Sequence, residues 1–248
     1  MSPSAEFSDP RLVAVYDTVN SYSPDAQPGF YRQLAADVQA TTIVDFGCGT
    51  GLITRDLAGC GFRMIGVDPA PAMLRVARNG NFGKRVRWIE GGATDIGSPA
   101  ADLAIMTGHV AQFFLTDPSW SEALHALHGA LRPGGWLAFE SRNPADRDWE
   151  RWTRDNRRTV VDPGAGTIEC WSEVHDVTAG VVSCATHRLF VVTGEEVVSD
   201  FRLRFRSEAE LADSLATAGF SIERTYGDWD RRPLGATTRE IIVVATRG

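Results

Sequence analysis

The segment VDFGCGTG, residues Val44–Gly51, decides the fold of this 248-residue chain. It continues a short apolar run that begins at Thr42, and helical character follows from Leu52. Glycine lets a backbone turn sharply and lets a ligand approach without a Cβ in the way. An open α/β sheet binds its ligand where a buried strand turns in this way into a helix, at the carboxyl ends of the strands. The segment therefore predicts an α/β fold with a ligand site at this turn.

Short apolar runs and helical patterns alternate from this segment onward. The predicted strands are Thr42–Phe46, Arg63–Val67, Val86–Glu90, Asp102–Met106 and Trp136–Glu140. The predicted helices include Leu52–Ala58, Ala70–Arg78 and a helix that Asp117 caps and Pro133-Gly134-Gly135 ends. Strict alternation predicts a parallel sheet with helices on both faces.

The pattern changes after about residue 150. Residues 167–177, 181–193 and 197–206 are predicted to be long strands with short turns, which is typical of an antiparallel meander. In the third strand, apolar side chains alternate with arginines from Phe201 to Arg206. This period of two predicts an inserted sheet with one wet face.

The first pattern resumes after this insert. Ser207 and Glu210 form a capping box that starts a helix, and Gly219 closes it. The sixth and seventh strands are Phe220–Arg224 and Glu240–Thr246. The loop between them is too short and too polar for a crossover helix, so these strands are predicted to form a hairpin.

Composition and charge exclude several classes of protein. The 25 basic and 32 acidic residues give a net charge of −7, which disfavours binding to a phosphate backbone. The longest apolar runs, such as Ile241–Ala245, are far shorter than the roughly 18 residues of a membrane span. The N-terminal MSPSAEFSDP lacks the basic and apolar regions of a secretory signal. We expect a cytoplasmic protein that binds neither nucleic acid nor membrane.

The cysteines and histidines do not follow the spacing of a metal site. Cys48, Cys60, Cys170 and Cys184 include no CxxC pair, and no histidine has a clustered acidic or cysteine partner. Free thiols in a reducing compartment and no metal are therefore expected.

The carboxylates beside the glycine turn distinguish among nucleoside cofactors. Asp68 ends the next strand, 21 positions after Gly47, where a carboxylate accepts hydrogen bonds from ribose hydroxyls. The glycine spacing is G-x-G-x-G, with Leu52 where the dinucleotide pattern G-x-G-x-x-G has its third glycine. Asp45 would repel a pyrophosphate and suits a cationic ligand. These features disfavour an NAD-type oxidoreductase.

Four motifs together resemble the class I S-adenosylmethionine-dependent methyltransferases. The family's nucleotide loop, (V/L)D-x-G-x-G-x-G, is matched by Val44–Gly51, and its second-strand acid by Asp68 in GVDPAPAML. Its third-strand acid, which contacts the adenine amine, is matched by Asp95 in GGATDI, and its L-(K/R)-P-G-G signature by Leu131–Gly135. The motifs stand in the family's order and spacing over residues 40–140.

The resemblance implies a Rossmann-like seven-stranded sheet with helices on both faces and an antiparallel last strand between the fifth and sixth. It implies an S-adenosylmethionine-binding domain over residues 1–150 and 207–248, with an N-terminal helical cap, and a β insert over residues 151–206 that covers the substrate site. The implied activity is in-line transfer of the methyl group of S-adenosylmethionine to a nitrogen, oxygen or carbon atom of a small-molecule acceptor. The expected cofactor-binding residues are Asp45, Gly47, Gly49, Gly51, Asp68, Met73, Thr94, Asp95, Tyr16 and Thr107.

His109 is the expected catalytic base, because it follows the fourth strand at the rim where the family's substrate and cofactor meet. The alternative is a loop histidine that only packs or caps. In the family, N-terminal aromatic residues shield the sulfonium, which gains cation–π energy. Tyr16, Asp17, Tyr22 and Phe30–Tyr31 lie in that segment. The alternative is a surface helix that packs its aromatics on the core.

Other interpretations stay open beside these. The alternative function is a catalytically silent module that keeps S-adenosylmethionine or S-adenosylhomocysteine without turnover. Arg142 and the arginines of the insert are candidates for holding an anionic acceptor, although ordinary strand-end and sheet-face charges are favoured. The tryptophans within Arg147–Arg158 are candidates for stacking on nucleic-acid bases, although packing is favoured.

Overall fold

The glycine turn lies at the centre of a seven-stranded sheet. The structure is a computed structural model that describes residues 4–20, 26–98 and 100–248. The strands are β1 (Thr42–Phe46), β2 (Arg63–Asp68), β3 (Arg87–Glu90), β4 (Ala101–Met106), β5 (Leu131–Arg142), β6 (Arg158–Asp162), β7 (Gly166–Thr178), β8 (Val181–Phe190), β9 (Glu195–Arg204), β10 (Phe220–Tyr226) and β11 (Glu240–Arg247). The α-helices are α1 (Ala5–Ser8), α2 (Pro10–Val19), α3 (Gln27–Asp37), α4 (Leu52–Gly59), α5 (Pro71–Asn79), α6 (Asp117–Ala130) and α7 (Glu208–Thr217).

The strand order of this sheet is β10-β11-β5-β4-β1-β2-β3. Strands β1 to β5 pair in parallel, and β11 pairs antiparallel with both β5 and β10. The predicted topology is therefore confirmed, including the final hairpin. The strand order reverses beside β1, so the carboxyl ends of β1 and β4 flank a crevice where this class of sheet binds ligands.

Successive residues of β1 contribute to two hydrophobic cores, one on each face of the sheet. Val44 belongs to the core that contains Trp120 of α6 and Leu211 of α7. Ile43 belongs to the core that contains Leu34 of α3 and Leu57 of α4. All five residues of β1 are buried, as expected of a parallel strand that helices cover on both sides.

Two predicted boundaries around α6 differ from the structure. The N-cap of α6 is Thr116 and not Asp117, because the Thr116 side chain accepts a hydrogen bond from the backbone N–H of Ser119 at 3.3 Å. Threonine and aspartate both cap helices well, so the sequence does not decide between neighbours. Strand β5 already begins at Leu131, and Pro133-Gly134-Gly135 lies within it and does not end the helix.

The insert is a separate antiparallel sheet with the order β6-β7-β8-β9. Strands β7, β8 and β9 confirm the predicted meander. Strand β6, which pairs Val160 with Ile168, was missed because its apolar run is short and follows a polar, arginine-rich stretch. Trp149 and Trp152 pack against Phe205 at the end of the insert, at centroid distances of 4.7 and 6.2 Å.

The prediction that the arginines of the third predicted insert strand face water is wrong for Arg206. It is only 3% exposed. Its guanidinium donates to the backbone carbonyls of Ala111, Phe114 and Thr116 at 3.4, 2.8 and 3.4 Å, and lies over the ring of Trp120. Strand β9 ends two residues earlier, so the alternation of the strand no longer governs this side chain.

Within residues 4–20, 26–98 and 100–248, none of the helices has the length and apolar character needed to cross a membrane. In the same described ranges, no group of three or more His, Cys, Asp or Glu side chains is placed to hold a metal ion. All four cysteines are free thiols, and Cys60 alone among them is exposed.

Arg206→Met is expected to lower the free energy of unfolding by roughly 1–3 kcal/mol, because buried carbonyls lose their donor. The control is Arg202→Met, which removes an exposed arginine from β9, four residues earlier in the chain, and should change stability by less than about 0.5 kcal/mol. Urea denaturation of both variants measures the difference. Equal stability of the two variants would contradict the conclusion that the hydrogen bonds of Arg206 to these carbonyls stabilise the fold.

Candidate functional site

A cavity of about 830 Å³ opens at the carboxyl ends of β1, β2, β3 and β4. We call it the first cavity. Of the residues expected to bind the cofactor, six line it: Gly47, Gly49, Asp68, Met73, Tyr16 and Thr107. The turn that the sequence singles out therefore forms part of a chamber large enough for a nucleoside ligand.

Asp68 fixes the glycine turn to the start of α5. Its Oδ2 accepts a hydrogen bond from the Gly49 N–H at 2.8 Å, and its Oδ1 accepts one from the Ala70 N–H at 2.8 Å. Burial raises the pKa of the Asp68 carboxyl group, and the two backbone donors oppose that rise. Because a carboxylate offers about four lone-pair sites, Asp68 retains acceptor capacity for hydroxyl groups in the cavity.

Gly47 and Gly51 are required by the backbone and by close packing. Both have left-handed conformations, with φ of +77° and +74°. A Cβ on Gly47 would lie 2.5 Å from Cγ2 of Val110, and a Cβ on Gly51 would lie 2.5 Å from Cη2 of Trp88. Gly47 lines the first cavity, whereas Gly51 does not and instead begins α4 against Trp88.

Asp45 is buried outside the lining of the first cavity. Its Oδ2 accepts a hydrogen bond from Oγ1 of Thr54 in α4 at 2.6 Å. Its Oδ1 has no hydrogen-bond partner among the residues the structure describes. Burial, with the nearby charges of Glu140 and Asp68, raises the pKa of Asp45 to about 7, although the hydrogen bond from Thr54 opposes the rise. The structure thus joins Asp45 to the helix that follows the glycine turn.

Thr94 and Asp95 are exposed and also lie outside the lining. Oδ2 of Asp95 accepts a hydrogen bond from the Gly92 N–H at 2.8 Å. Gly92 and Ala93 do line the first cavity. The third-strand motif therefore reaches the cavity through the two residues that precede Thr94.

The N-terminal segment forms one wall of the first cavity. Tyr16 and Asp17 line it, and Asp17 accepts a hydrogen bond from the hydroxyl of Thr50 in the glycine turn. Phe30–Tyr31 instead packs in the core of α3 and α4. Tyr22 lies outside the described residues. Tyr16 is thus the N-terminal aromatic of this set that the structure brings to the cavity.

A second cavity of about 480 Å³ adjoins the first. It is lined by the N-terminal segment, the loop after β4, the short turns after β5, and the insert. We call the residues that line both cavities the junction. The junction consists of Ser4, Phe7, Tyr16, Asn20, Gly108, Phe113 and Phe201.

His109 lines the second cavity, directly after Gly108 of the junction. Its Nε2 lies 2.9 Å from Oε2 and 3.1 Å from Oε1 of Glu240, the first residue of β11. Its Nδ1 makes no hydrogen bond to a described residue. One ring nitrogen is therefore paired with a carboxylate, and the residue itself belongs to the lining of the second cavity.

Glu140 holds the loop that separates the two cavities. This fully buried carboxylate accepts hydrogen bonds from the hydroxyl of Tyr31, the N–H of Gly108 and, at 3.3 Å, the N–H of His109. Burial raises the pKa of both Glu140 and Tyr31. The sequence analysis did not identify Glu140 and Glu240 as site residues. The signal that could have indicated them is an acidic residue at the cavity end of an otherwise apolar strand.

The arginines that the sequence analysis named as candidates for holding an anionic acceptor lie in different places. Arg142 lines the second cavity, and its Nη1 donates to Oε1 of Gln112 at 2.9 Å. Arg202 lines the first cavity. Arg204 and Arg206 line neither.

Comparison with known proteins identifies similar sequences. Residues 43–135 match a family described as a methyltransferase domain. The chain is also 25% identical to the cypemycin N-terminal methyltransferase of a Streptomyces species over 246 residues, which cover 96% of this chain and 97% of that protein.

Solved structures share the fold over nearly the whole chain. An S-adenosylmethionine-dependent methyltransferase from Clostridium acetobutylicum has a TM-score of 0.78 at 14% identity and covers 96% of this chain and 98% of its own. CalS10 from Micromonospora echinaspora, an amino pentose methyltransferase solved with S-adenosylmethionine bound, has a TM-score of 0.72 at 23% identity and covers 95% of both chains. At these identities the likeness establishes the fold.

The buried carboxyl group of Asp45 predicts a pH-dependent stability. Its pKa of about 7 in the folded chain lies above its ordinary 3.8, so the folded chain holds this proton more tightly than the unfolded chain. The stabilisation is fully present below the unfolded pKa and is lost as the pH rises through about 7. The free energy of unfolding of the wild type, relative to Asp45→Asn, should therefore fall by roughly 1–3 kcal/mol between about pH 5 and pH 8.

Chemical denaturation at several pH values measures this difference. Asp213→Asn, which removes an exposed aspartate of α7, controls for the loss of a surface carboxylate. If the stabilities of the wild type and Asp45→Asn run parallel over this pH range, Asp45 does not titrate as its burial implies.

Proposed function

Because this chain is a class I S-adenosylmethionine-dependent methyltransferase of the small-molecule type, we propose that it methylates an amine nitrogen of its acceptor. The choice of nitrogen is supported by the Streptomyces relative, which is named an N-terminal methyltransferase and matches nearly the whole chain. The observation that carries the proposal is the pair of adjoining cavities, with His109 in the second. The first cavity is assigned to the cofactor and the second to the acceptor.

The lining of the first cavity fits S-adenosylmethionine. In its described lining, three aspartates, Asp17, Asp68 and Asp200, stand against the single arginine Arg202, and this net acidic balance suits a cationic sulfonium. Gly49 has a left-handed φ of +55°, which favours glycine, and it adds no side chain beside Met73 in the lining. When bound, the cofactor supplies an activated methyl group whose transfer removes the positive charge on sulfur. Alignment of the acceptor and exclusion of water are then the main tasks of the protein.

Individual roles follow from the positions of the lining residues. Asp68 accepts hydrogen bonds from the ribose hydroxyls, and Gly47 and Gly49 let the backbone approach the ligand. Met73 packs against the nucleoside, and Thr107 contributes backbone groups after β4. Tyr16, in the junction, presents its ring to the sulfonium, an interaction of roughly 0.5–2 kcal/mol.

The expected residues outside the lining act indirectly in this proposal. Asp45 and Gly51 set the course of the turn into α4. Thr94 and Asp95 fold the segment Gly92–Ala93 against the cavity, where the adenine would lie. Direct contact of Asp95 with the adenine amine stays a prediction.

His109 and Glu240 are proposed to act as a proton-accepting pair. An amine arrives largely as an ammonium ion near neutral pH and must lose a proton before it can attack a methyl group. Nδ1 of His109 takes that proton, and Glu240 stabilises the resulting imidazolium through its contact with Nε2. Glu140 acts as a positioning residue, because it holds the backbone of Gly108 and His109.

The proposed cellular setting is the cytoplasm, and nucleic acid is not a proposed substrate. The four free cysteines suit a reducing compartment. The net charge of −7 would repel a phosphate backbone. The proposed division of labour places cofactor binding in residues 1–150 and 207–248, with residues 151–206 covering the acceptor.

Asp68→Ala is expected to weaken binding of S-adenosylmethionine by about tenfold or more, because the ribose hydroxyls lose an ionised acceptor and the Gly49 N–H loses its partner. Isothermal titration calorimetry measures the affinity, and circular dichroism checks the fold. Asp213→Ala on α7 is the control and should bind like the wild type. Unchanged affinity in Asp68→Ala would refute the cofactor site.

His109→Gln is expected to lower kcat by roughly 10²-fold or more near neutral pH while leaving cofactor affinity unchanged. The deficit should shrink at high pH, where the amine loses its proton to water. A panel of small amines, alcohols and thiols, screened by release of S-adenosylhomocysteine, supplies the acceptor for this assay. His125→Gln, an exposed histidine of α6, is the control. Methylation of hydroxyl or thiol compounds alone would contradict the nitrogen assignment.

A further inference from the structure

The second cavity is lined by four arginines and one acidic residue, whereas the described lining of the first has three aspartates and one arginine. The arginines of the second cavity are Arg142, Arg151, Arg158 and Arg188, and Glu6 is the one acidic residue in its described lining. We infer that the acceptor carries an anionic oxygen group, a carboxylate or a phosphate, which binds at this arginine wall. The inference rests on the proposed function, since that assigns the second cavity to the acceptor.

The carboxylates that pair with Arg142 and Arg151 lie outside the lining of the second cavity. Asp148 lies 3.5 Å from Nε of Arg142 and 2.7 Å from Nη2 of Arg151, and Asp146 also pairs with Arg151. Neither aspartate lines the cavity, whereas both arginines do. The two aspartates orient the guanidinium groups, and the arginines themselves line the cavity. Arginine presents a planar set of N–H donors that matches the oxygens of a carboxylate or phosphate.

Arg158 has no carboxylate partner within ion-pair distance in the part of the chain that the structure describes. It is exposed at the rim of the second cavity, at the start of β6, and it donates to the carbonyl of Val19. Val19 is the last residue of α2, where helix carbonyls carry partial negative charge. This contact orients the arginine and leaves its positive charge available to a ligand.

Glu6 does not make the second cavity acidic. Its Oε1 lies 3.0 Å from Nη2 of Arg188, and its Oε2 accepts a hydrogen bond from the hydroxyl of Thr186 at 3.1 Å. The Glu6 and Arg188 side chains are largely buried, so their opposite charges neutralise each other locally. The positive charge that remains for a ligand therefore comes from Arg158, while Arg142 and Arg151 line the cavity as hydrogen-bond donors.

Aromatic rings complete the acceptor chamber. Trp152 and Trp171 line it together with Phe113 and Phe201 of the junction. The acceptor that fits has an apolar body, an amine directed at His109 and an anionic group at the arginines. Such an acceptor satisfies the apolar rings and the cationic wall at the same time.

The test uses probes that lack an amine, so that binding does not depend on methyl transfer. 3-Phenylpropionate and phenyl phosphate are compared with the neutral 3-phenylpropionamide, by ligand-observed NMR titration at low salt. The wild-type protein should bind at least one of the two anions about tenfold more tightly than the amide. Which anion is preferred distinguishes a carboxylate from a phosphate.

Arg158→Met and Arg142→Met should each reduce that preference by at least about threefold. Arg157→Met is the matched control, because Arg157 pairs with Glu169 at 3.4 Å and lines neither cavity. Equal affinity for the anions and the amide, the absence of anion binding, or a preference that survives in both variants would overturn the inference. Binding of S-adenosylhomocysteine, measured on the same samples, reports on the cofactor site and so distinguishes failure of the proposed function.

Discussion

The buried carboxylate of Glu140 is the constraint on which the arrangement of the two cavities depends. It joins three separate elements, because it lies on β5, accepts the hydroxyl of Tyr31 from α3, and accepts backbone N–H groups of the loop after β4. A buried charge is costly unless hydrogen bonds compensate it, and here the three donors do so. Since Gly108 belongs to the junction and His109 to the second cavity, this one carboxylate fixes the position of both relative to the sheet.

The insert gives the second cavity a chemistry different from the first. The first cavity is built at strand ends of the central sheet and has aspartates in its lining, while the second is closed by the N-terminal segment and the insert sheet and carries arginines. Buried contacts such as the ion pair of Glu6 with Arg188 and the clamp of Arg206 on the loop at Phe114 attach these added parts to the rest of the chain. Under the proposed function, the central sheet would bind the cofactor, and the attached parts would select the acceptor.

The sequence predicted the sheet well because its signals are local. Alternating apolar runs and helical patterns, and the glycine turn at Gly47, are set by neighbours along the chain. The parts that sequence reasoning missed or misplaced depend on contacts between distant segments. Arg206 becomes buried because it meets carbonyls about ninety residues away in sequence, and Glu140 becomes a loop anchor only once β4 and β5 lie side by side. Asp45 matches the family motif in sequence. The orientation of its side chain, however, depends on a hydrogen bond from Thr54, which the following helix brings close.

The junction is a wall that the two cavities share. Ser4, Phe7, Tyr16 and Asn20 of the N-terminal segment belong to the walls of both. If a ligand in one cavity restrains these side chains, they lose conformational entropy. A ligand that then binds in the other cavity has less of this entropy cost to meet. By reciprocity, each ligand then alters the equilibrium affinity of the other by the same factor.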